Sequence, residues 1–275
     1  MQIDLSNGSI HAQVRGHGTP VVIMHGGGLD HRHMLDALEP VFTDAQGWQR
    51  IYIDLPSHGL STVNADVRCQ QDVLNMISDF VQQALKGQRC ALIGESRGSY
   101  HAMGLAHIRP DDFLGMMMIV ADAMPGSTRD WRPEHQTLVS VPNGATQDAS
   151  PAAIARYKRL VVQRPDILEK IERSKLVAMD LVDQDLAARI QGNFDFAFDL
   201  SKPISIFDEP CLIVNGRQDA MAGYQDMLDR VEHYPRATLA VLDCAGHSLA
   251  WERPEVFKAL TLDWLERMRV AKSHQ

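Results

Sequence analysis

The sequence predicts an α/β fold with a mostly parallel β-sheet and helices on both faces. Within the first 120 residues, short continuous apolar runs alternate four times with helical stretches, and such runs are typical of strands buried on both faces. The same alternation resumes after a long interruption, between residues 211 and 269. Repeated strand–helix alternation favours parallel strands joined by right-handed helical crossovers.

Each predicted element follows from its local pattern. Residues 10–15 alternate weakly between apolar and polar side chains, which predicts an edge strand. Continuous apolar runs predict buried strands at residues 21–24, 51–53, 90–93, 113–120, 211–214 and 238–242. Helical periodicity predicts helices at residues 30–42, 67–86, 99–109, 223–234 and 254–269.

The alternation stops between residues 122 and 203. This stretch has few strand patterns, and its helical patterns are clearest at residues 152–162 and 166–181. We therefore predict a core domain made of residues 1–121 and 204–275, with residues 122–203 inserted as a helical unit.

Composition and charge argue against several classes of function. The 275 residues are 45% hydrophobic and 23% charged, and the net charge of −8 with no cationic run argues against nucleic acid as a partner. No apolar run approaches the roughly 20 residues that cross a bilayer, so we expect no membrane partner. The first ten residues are too polar for a signal peptide, and the four cysteines lack zinc-site spacing. We expect a cytoplasmic location and a small-molecule partner; the oligomeric state is left open.

The stretch Gly94–Gly98, with the sequence G-E-S-R-G, lies between a predicted strand and a predicted helix. Strand, G-x-S-x-G and helix together are the pattern of a nucleophile elbow, a sharp turn that holds a serine in a strained backbone conformation. A Cβ at either glycine would clash where strand and helix close together. Ser96 is therefore the candidate nucleophile.

Two further polar clusters follow the last two predicted strands, where open parallel sheets bind their ligands. Asp219 lies in the first cluster and His247 in the second. A serine hydroxyl is a weak nucleophile, so we assign His247 as the base that removes the proton of Ser96. Asp219 would hold the correct tautomer of His247 and stabilise the imidazolium.

The tetrahedral intermediate of acyl transfer needs hydrogen-bond donors for its oxyanion. The amide of Arg97 is one candidate, because it lies at the predicted N-terminus of a helix. The second donor is expected from the glycine run after the first apolar strand, and we assign it to Gly27. We expect the neighbouring Gly26 and Gly28 to line the substrate pocket.

Taken together, these motifs resemble the α/β-hydrolase superfamily over nearly the whole chain. The resemblance is to the group that includes proline iminopeptidases, small-molecule esterases and C–C bond hydrolases, and the order Ser96, Asp219, His247 agrees with it. It implies a roughly eight-stranded sheet and a helical cap over the active site, formed by the insertion. The motifs are His25–Gly28, residues 54–61, residues 94–98, residues 216–219 and Gly246–His247.

Two site assignments have alternatives. Asp122, at the end of a predicted strand, is a second candidate for the triad acid, because some members of the family carry the acid there; we favour Asp219. The guanidinium of Arg97 can bind an anionic substrate group, or it can pair with an acid such as Glu95 or Asp122. We favour the pairing, because buried arginines are usually paired.

Aromatic residues of the insertion and several histidines have two interpretations each. Trp131, Phe194 and Phe196 line a substrate pocket or form a small core of the insertion, and the sequence does not separate these. We interpret His25 and His58 as structural residues that brace loops. We interpret His31 and His33 as solvated surface histidines, because alternate positions on a helix point apart and do not form a metal pair.

We predict a serine hydrolase that cleaves a small-molecule carboxylic ester through an acyl-enzyme, with no metal or organic cofactor. A proline iminopeptidase-like aminopeptidase is one alternative, and it would need acidic cap residues such as Glu134, Asp195 and Asp199. A C–C bond hydrolase of a ring-fission product is another, and it would need an anion-binding arginine. A non-enzymatic sensor of a small ligand is the third. The arginine candidates are Arg97, Arg129 and Arg132.

Overall fold

A β-sheet forms the centre of the computed structural model, which describes residues 1–121, 132–140, 146, 148–202 and 206–272. Within these residues the sheet has nine strands. They are β1 (Gln2–Leu5), β2 (Gly8–Arg15), β3 (Thr19–Met24), β4 (Trp48–Ile53), β5 (Thr62–Val63), β6 (Cys90–Glu95), β7 (Phe113–Ile119), β8 (Cys211–Gly216) and β9 (Ala237–Leu242).

The strand order is β1-β2-β4-β3-β6-β7-β8-β9, with β5 paired to β2. The six strands from β4 to β9 in this order run parallel, whereas β1, β2 and β5 pair antiparallel. The prediction of a mostly parallel α/β sheet is confirmed. Because parallel strands point the same way, the carboxyl ends of β3, β6, β8 and β9 lie along one edge of the sheet.

The prediction of an edge strand at residues 10–15 is confirmed only in part. β2 covers these residues, but β1 pairs with residues 8–11 of β2 on the side away from β4, whereas residues 13–15 pair with β4 alone. Both β1 and β5 escaped prediction because they are short and carry polar side chains. An antiparallel hairpin needs only a tight turn, here Ser6 and Asn7 between the paired Leu5 and Gly8, and no long apolar run.

The helices surround this sheet in chain order. A π-helical stretch (Ile171–Leu176) separates α5 from α6, so that residues 165–180 form one continuous helical run. Two 3₁₀ turns cover Pro110–Asp112 and Val231–His233. The α-helices are α1 (His31–Phe42), α2 (Gln70–Leu85), α3 (Arg97–Ile108), α4 (Pro151–Tyr157), α5 (Pro165–Lys170), α6 (Val177–Asp180), α7 (Gln184–Gln191), α8 (Gln225–Arg230), α9 (Leu249–Glu252) and α10 (Pro254–Lys272).

Helices cover both faces of the sheet, as predicted. Val22 and Met24 of β3 pack with α2 and α3, whereas Val21 and Ile23 of the same strand pack with α1 and α10. Successive side chains of a strand point to opposite faces, so a run that is apolar at every position must be covered on both. The core is therefore two apolar layers, one on each side of the sheet.

Residues 148–202, here called the helical segment, contain α4 to α7. Backbone hydrogen bonds join this segment to the core, from Asp183 N–H to the carbonyl of Ser57 (2.9 Å) and from Gln70 N–H to the carbonyl of Asn193 (3.1 Å). The segment is helical as expected, although α7 was not predicted. Its proposed limits at residues 122 and 203 fall outside the described residues, so the domain boundaries stay a prediction.

Across the described residues, we find no helix that combines the length and the apolar character needed to cross a membrane. The longest, α10, carries charged side chains in most of its turns. Its apolar side instead packs on the sheet, where Trp264 is fully buried and donates its indole N–H to the carbonyl of Pro210 at 2.9 Å.

We expect Trp264→Ala to lower the free energy of unfolding by about 3 to 5 kcal/mol, because it leaves a large cavity between α10 and the sheet. Trp264→Phe retains most of the apolar volume and should cost about 1 to 2 kcal/mol. Urea denaturation of both variants beside the wild-type protein measures these differences. Equal stability of the alanine variant and the wild-type protein would contradict this packing.

Candidate active site

Ser96 stands at a strained turn between β6 and α3. Its φ of +50° and ψ of −112° lie in a region that non-glycine residues rarely adopt. A Cβ on Gly94 would lie 2.3 Å from the carbonyl carbon of Gly98, and a Cβ on Gly98 would lie 2.3 Å from the carbonyl oxygen of Met24. Only glycine allows so close an approach of strand and helix, which is the reason the sequence pattern predicted.

The glycine run after β3 passes directly beside this turn. A Cβ on Gly26 would lie 3.4 Å from the Cβ of Ser96, and a Cβ on Gly27 would lie 3.5 Å from Nη2 of Arg97. Arg97 is the first residue of α3, so its amide lies at the positive end of a 12-residue helix. Gly27 and Arg97 both line the cavity on which Ser96 lies.

Two buried histidines hold the glycine run in place. The ring of His25 contacts the carbonyl of Gly26 through Nδ1 (2.8 Å) and accepts the N–H of Leu55 at Nε2 (2.9 Å). The Nε2 atom of His58 accepts the N–H of Gly28 at 3.0 Å. Burial lowers the pKa of His25 to about 3 and that of His58 to about 4, so both rings are neutral and can accept these bonds. The structure gives both histidines the bracing role expected of them.

His247 and Asp219 lie in direct contact at the same edge of the sheet. Nδ1 of His247 is 2.8 Å from Oδ2 of Asp219, whose side chain is fully buried. The other oxygen of Asp219 accepts the backbone N–H groups of Met221 (2.8 Å) and Ala222 (3.1 Å), which fixes its orientation. Burial lowers the pKa of His247, but the charge and hydrogen bond of Asp219, with help from Glu95, outweigh it and raise the pKa above its ordinary value.

Ser96 and His247 line one cavity, together with Gly26, Gly27 and Gly28. In the hydrogen-bond network of the described residues, Oγ of Ser96 and the His247 ring are not directly bonded. Such bonds are often long in free enzymes and shorten when substrate binds. The rival acid Asp122 lies outside the described residues, whereas Asp219 is in hydrogen-bond contact with His247.

The cavity has a volume of about 580 Å³, which is typical of a small-molecule site. The core supplies its floor, at the carboxyl ends of the strands, and the helical segment supplies the opposite wall. That wall mixes apolar and cationic side chains, contributed by Arg156, Arg159, Leu160, Lys175, Met179 and Val182.

Phe194 and Phe196 are not among the described residues that line this cavity. Phe196 is buried and stacks on Tyr100 of α3, with ring centroids 4.1 Å apart. The ring of Phe194 lies 4.5 Å from the guanidinium carbon of Arg97. Both rings therefore pack the helical segment onto the core, while Trp131 lies outside the described residues.

The interpretation of His31 and His33 as solvated surface residues is wrong. Both are buried, because the first turn of α1 faces the sheet edge. Nε2 of His33 lies 2.9 Å from both carboxylate oxygens of Glu95, and Nδ1 of His31 lies 2.8 Å from Oδ1 of Asp54. Two residues two positions apart on a helix thus reach two different buried carboxylates, which no pattern in the sequence indicated.

The expected pairing of Arg97 with an acid is wrong for Glu95 and stays a prediction for Asp122. The carboxylate of Glu95 is hydrogen-bonded to His33. The guanidinium of Arg97 donates to the side-chain oxygen of Gln191 at the end of α7. Arg97 therefore links the nucleophile turn to the helical segment. Pairing with Asp122 involves a residue outside the described part of the chain.

Among the described residues, His11, His31 and Asp54 form a cluster whose ligand atoms lie within 4.8 Å of one another, close enough for a metal ion. Each histidine places Nδ1 against a different oxygen of Asp54, at 2.9 and 2.8 Å. The same carboxylate accepts the backbone N–H groups of His31 (2.8 Å) and Leu60 (3.0 Å). With four hydrogen bonds, Asp54 connects β2, α1 and the loop after β4.

Glu252, on α9, is a functional candidate that sequence reasoning missed. Its buried carboxylate accepts the N–H of Gly246 at 2.5 Å and the N–H of Val161 at 2.7 Å. The first of these belongs to the loop of His247 and the second to the helical segment. Burial raises the pKa of Glu252. Glu252 thus connects the loop of the candidate base to the helical segment that faces it. Nothing in the local sequence distinguishes Glu252 from a surface glutamate.

Comparison with known proteins identifies the family of this chain. The family model described as "Alpha/beta hydrolase family" matches residues 21–260. The chain is 25% identical to a pimeloyl-[acyl-carrier protein] methyl ester esterase of Nitrosomonas europaea, over 90% of this chain and 96% of that protein. It is also 25% identical to a 2-hydroxy-6-oxononadienedioate/2-hydroxy-6-oxononatrienedioate hydrolase of Pseudomonas putida, over 94% of this chain and 91% of that one.

The fold is also similar to that of solved structures. An alpha/beta superfamily hydrolase from Oenococcus oeni superimposes with a TM-score of 0.85 and 23% identity, over 97% of this chain and 99% of that chain. At this identity the likeness concerns the fold. The family match covers most of the sequence and includes the positions of Ser96, Asp219 and His247. The chain therefore belongs to the alpha/beta hydrolase family.

Proposed function

We propose that this protein is a serine hydrolase that cleaves a small-molecule carboxylic ester through an acyl-enzyme. The observation that carries the proposal is the contact between His247 and the buried Asp219, on the same cavity as the strained Ser96. Membership of a hydrolase family supports hydrolysis in general. The Nitrosomonas relative, which is named as a methyl ester esterase, supports an ester as the substrate.

In the first half of the proposed reaction, Oγ of Ser96 attacks the ester carbonyl carbon while Nε2 of His247 takes the hydroxyl proton. The amides of Gly27 and Arg97 stabilise the oxyanion. The intermediate then collapses, the bond to the alcohol oxygen breaks, and the alcohol leaves with the proton from His247. Asp219 stays ionised throughout and stabilises the imidazolium.

In the second half, His247 takes a proton from water, and the resulting hydroxide attacks the acyl carbon. Collapse of this second intermediate breaks the bond to Ser96, returns the proton to its oxygen and releases the carboxylic acid. We further propose that the helical segment is the cap of this site. Its contacts with Arg97 and Glu252 support a role in shaping the cavity above the nucleophile.

A C–C bond hydrolase is the second candidate, and the similarity to the Pseudomonas putida hydrolase favours it. An aminopeptidase fits less well. A free α-amino group needs nearby carboxylates, but Glu134, Asp195 and Asp199 are not among the described residues that line the cavity. Glu95 does line it, but its carboxylate is bound to His33. The cations that do line it would repel an ammonium group.

We expect Ser96→Ala to lower kcat on a p-nitrophenyl ester by about 10⁴- to 10⁶-fold, because it removes the nucleophile. The same variant should lose labelling by a fluorophosphonate probe, with peptide mapping locating the label on Ser96 in the wild-type protein. Ser201→Ala, the same substitution at an exposed serine of the helical segment, is the matched control. Undiminished turnover by Ser96→Ala would contradict the proposed mechanism.

We expect kcat/KM to rise with pH through an apparent pKa above 6.5, the ordinary value for histidine. The base must be neutral to accept a proton, and a raised pKa keeps His247 protonated to higher pH. Because the charge of Glu95 contributes to the raised pKa, Glu95→Gln should move the midpoint to lower pH. A pH–rate series on both proteins measures this. A midpoint below 6.5 in the wild-type protein would be inconsistent with the Asp219–His247 pair.

We expect ester turnover to exceed both C–C bond cleavage and arylamide cleavage. The measurement compares kcat/KM for a p-nitrophenyl ester, a vinylogous 1,5-diketone acid and a proline p-nitroanilide under one set of conditions. Oxyanion stabilisation serves all three reactions, but the ester has the best leaving group for a serine acyl-enzyme. Faster cleavage of the diketone acid would contradict the proposed ester hydrolase and support the C–C bond hydrolase.

A further inference from the structure

Three cations of the helical segment line the cavity opposite Ser96. Arg156 belongs to α4, Arg159 lies in the turn that follows α4, and Lys175 comes from the π-helical stretch. Leu160 and Met179, which also line the cavity, give this cationic wall an apolar surround. None of the three cations belongs to the proposed triad or oxyanion hole.

Within the described part of the chain, these charges are not neutralised in pairs. Neither Arg156 nor Arg159 has a carboxylate oxygen within 4.0 Å there. Glu95, the carboxylate among the described lining residues, is bound to His33 at 2.9 Å. Burial lowers the pKa of Lys175, the charges of Glu95 and Glu252 raise it, and the charges of Arg156 and Arg159 lower it, so the three cations act on one another.

This arrangement is unusual for an acidic chain. The net charge is −8, with 35 acidic residues against 27 basic ones. The chain therefore has more carboxylates than it needs to pair every cation. Arg156 and Lys175 are partly buried, whereas Arg159 is exposed. Like charges gathered at one cavity repel one another, and the two partly buried cations also lose hydration, which costs free energy unless an anion binds among them. A cavity that also holds the nucleophile therefore has a built site for a negative group.

We propose that the substrate is an ester that carries a free carboxylate, which Arg156, Arg159 and Lys175 bind while Ser96 attacks the ester carbonyl. This inference rests on the proposed function and narrows its substrate class. A guanidinium matches a carboxylate with two parallel hydrogen bonds, and a lysine adds a point charge. The apolar lining between the cations and the nucleophile suits the carbon chain that separates the two groups.

The test compares kcat/KM for matched esters with and without the carboxylate. One pair, monophenyl adipate and phenyl hexanoate, varies the charge on the acyl side. The other pair, 4-acetoxybenzoate and 4-acetoxybenzamide, varies it on the alcohol side. We expect a preference of about tenfold or more for the anion in at least one pair, falling as salt screens the charges. No preference in either pair overturns the inference.

The double variant Arg156→Gln/Arg159→Gln and the single variant Lys175→Gln locate the effect. Each should lower the ratio of anionic to neutral kcat/KM by about 10-fold or more, because a charged hydrogen bond is lost. Lys158→Gln is the matched control, since Lys158 is an exposed cation of the same segment that does not line the cavity. A ratio that falls equally in Lys158→Gln would overturn the assignment to these residues.

A binding measurement separates this inference from the proposed function. Calorimetric titration of adipate into Ser96→Ala needs no turnover, and we expect binding that Arg156→Gln/Arg159→Gln abolishes in the same background. Hydrolysis of phenyl hexanoate without adipate binding and without a charge preference would leave the ester hydrolase standing and refute the anion site. Adipate binding without hydrolysis of any of the four esters would support the site and refute the ester hydrolase.

Discussion

The close contact between β6 and α3 is the constraint on which the rest of this site depends. A Cβ on Gly94 of β6 would lie 2.3 Å from the carbonyl carbon of Gly98 in α3, and a Cβ on Gly98 would lie 2.3 Å from the carbonyl oxygen of Met24 in β3, so neither position has room for a Cβ. That approach forces Ser96 into a left-handed backbone conformation and turns its side chain towards the cavity. The strain is retained because the sheet over-determines the turn, with the N–H of Ser96 donating to the carbonyl of Ile119 at 2.8 Å.

The parallel sheet then gathers distant parts of the chain around this turn. Loops after β3, β8 and β9 bring Gly27, Asp219 and His247 to the edge where Ser96 stands. Loops alone would be too loose for such a site, and buried polar side chains stiffen them. Neutral histidines hold the glycine run, and Glu252 fixes the backbone next to His247. The polar contacts that stabilise these loops therefore also fix the geometry of the site.

Sequence patterns predicted the features that depend on local order. Strand, turn and helix in succession indicate an elbow, and polar residues after apolar strands indicate the edge of a sheet, which is enough to select Ser96, Asp219 and His247. The partners of His33 and Arg97 could not be predicted in this way. Periodicity shows that a helix has two sides, but it does not show which of them reaches a given carboxylate after packing. The wall formed by the helical segment depends entirely on such packing.

The same charges connect the proposed binding and the proposed chemistry. Lys175 lowers the pKa of His247, whereas Asp219 and Glu95 raise it. A carboxylate bound at Lys175 would cancel the positive field that the lysine exerts on the imidazole. His247 would then be a stronger base in the complex than in the free protein, at the moment when it must accept the proton of Ser96. In this arrangement an anionic substrate contributes to the activation of the nucleophile, and a neutral ester of equal size does not.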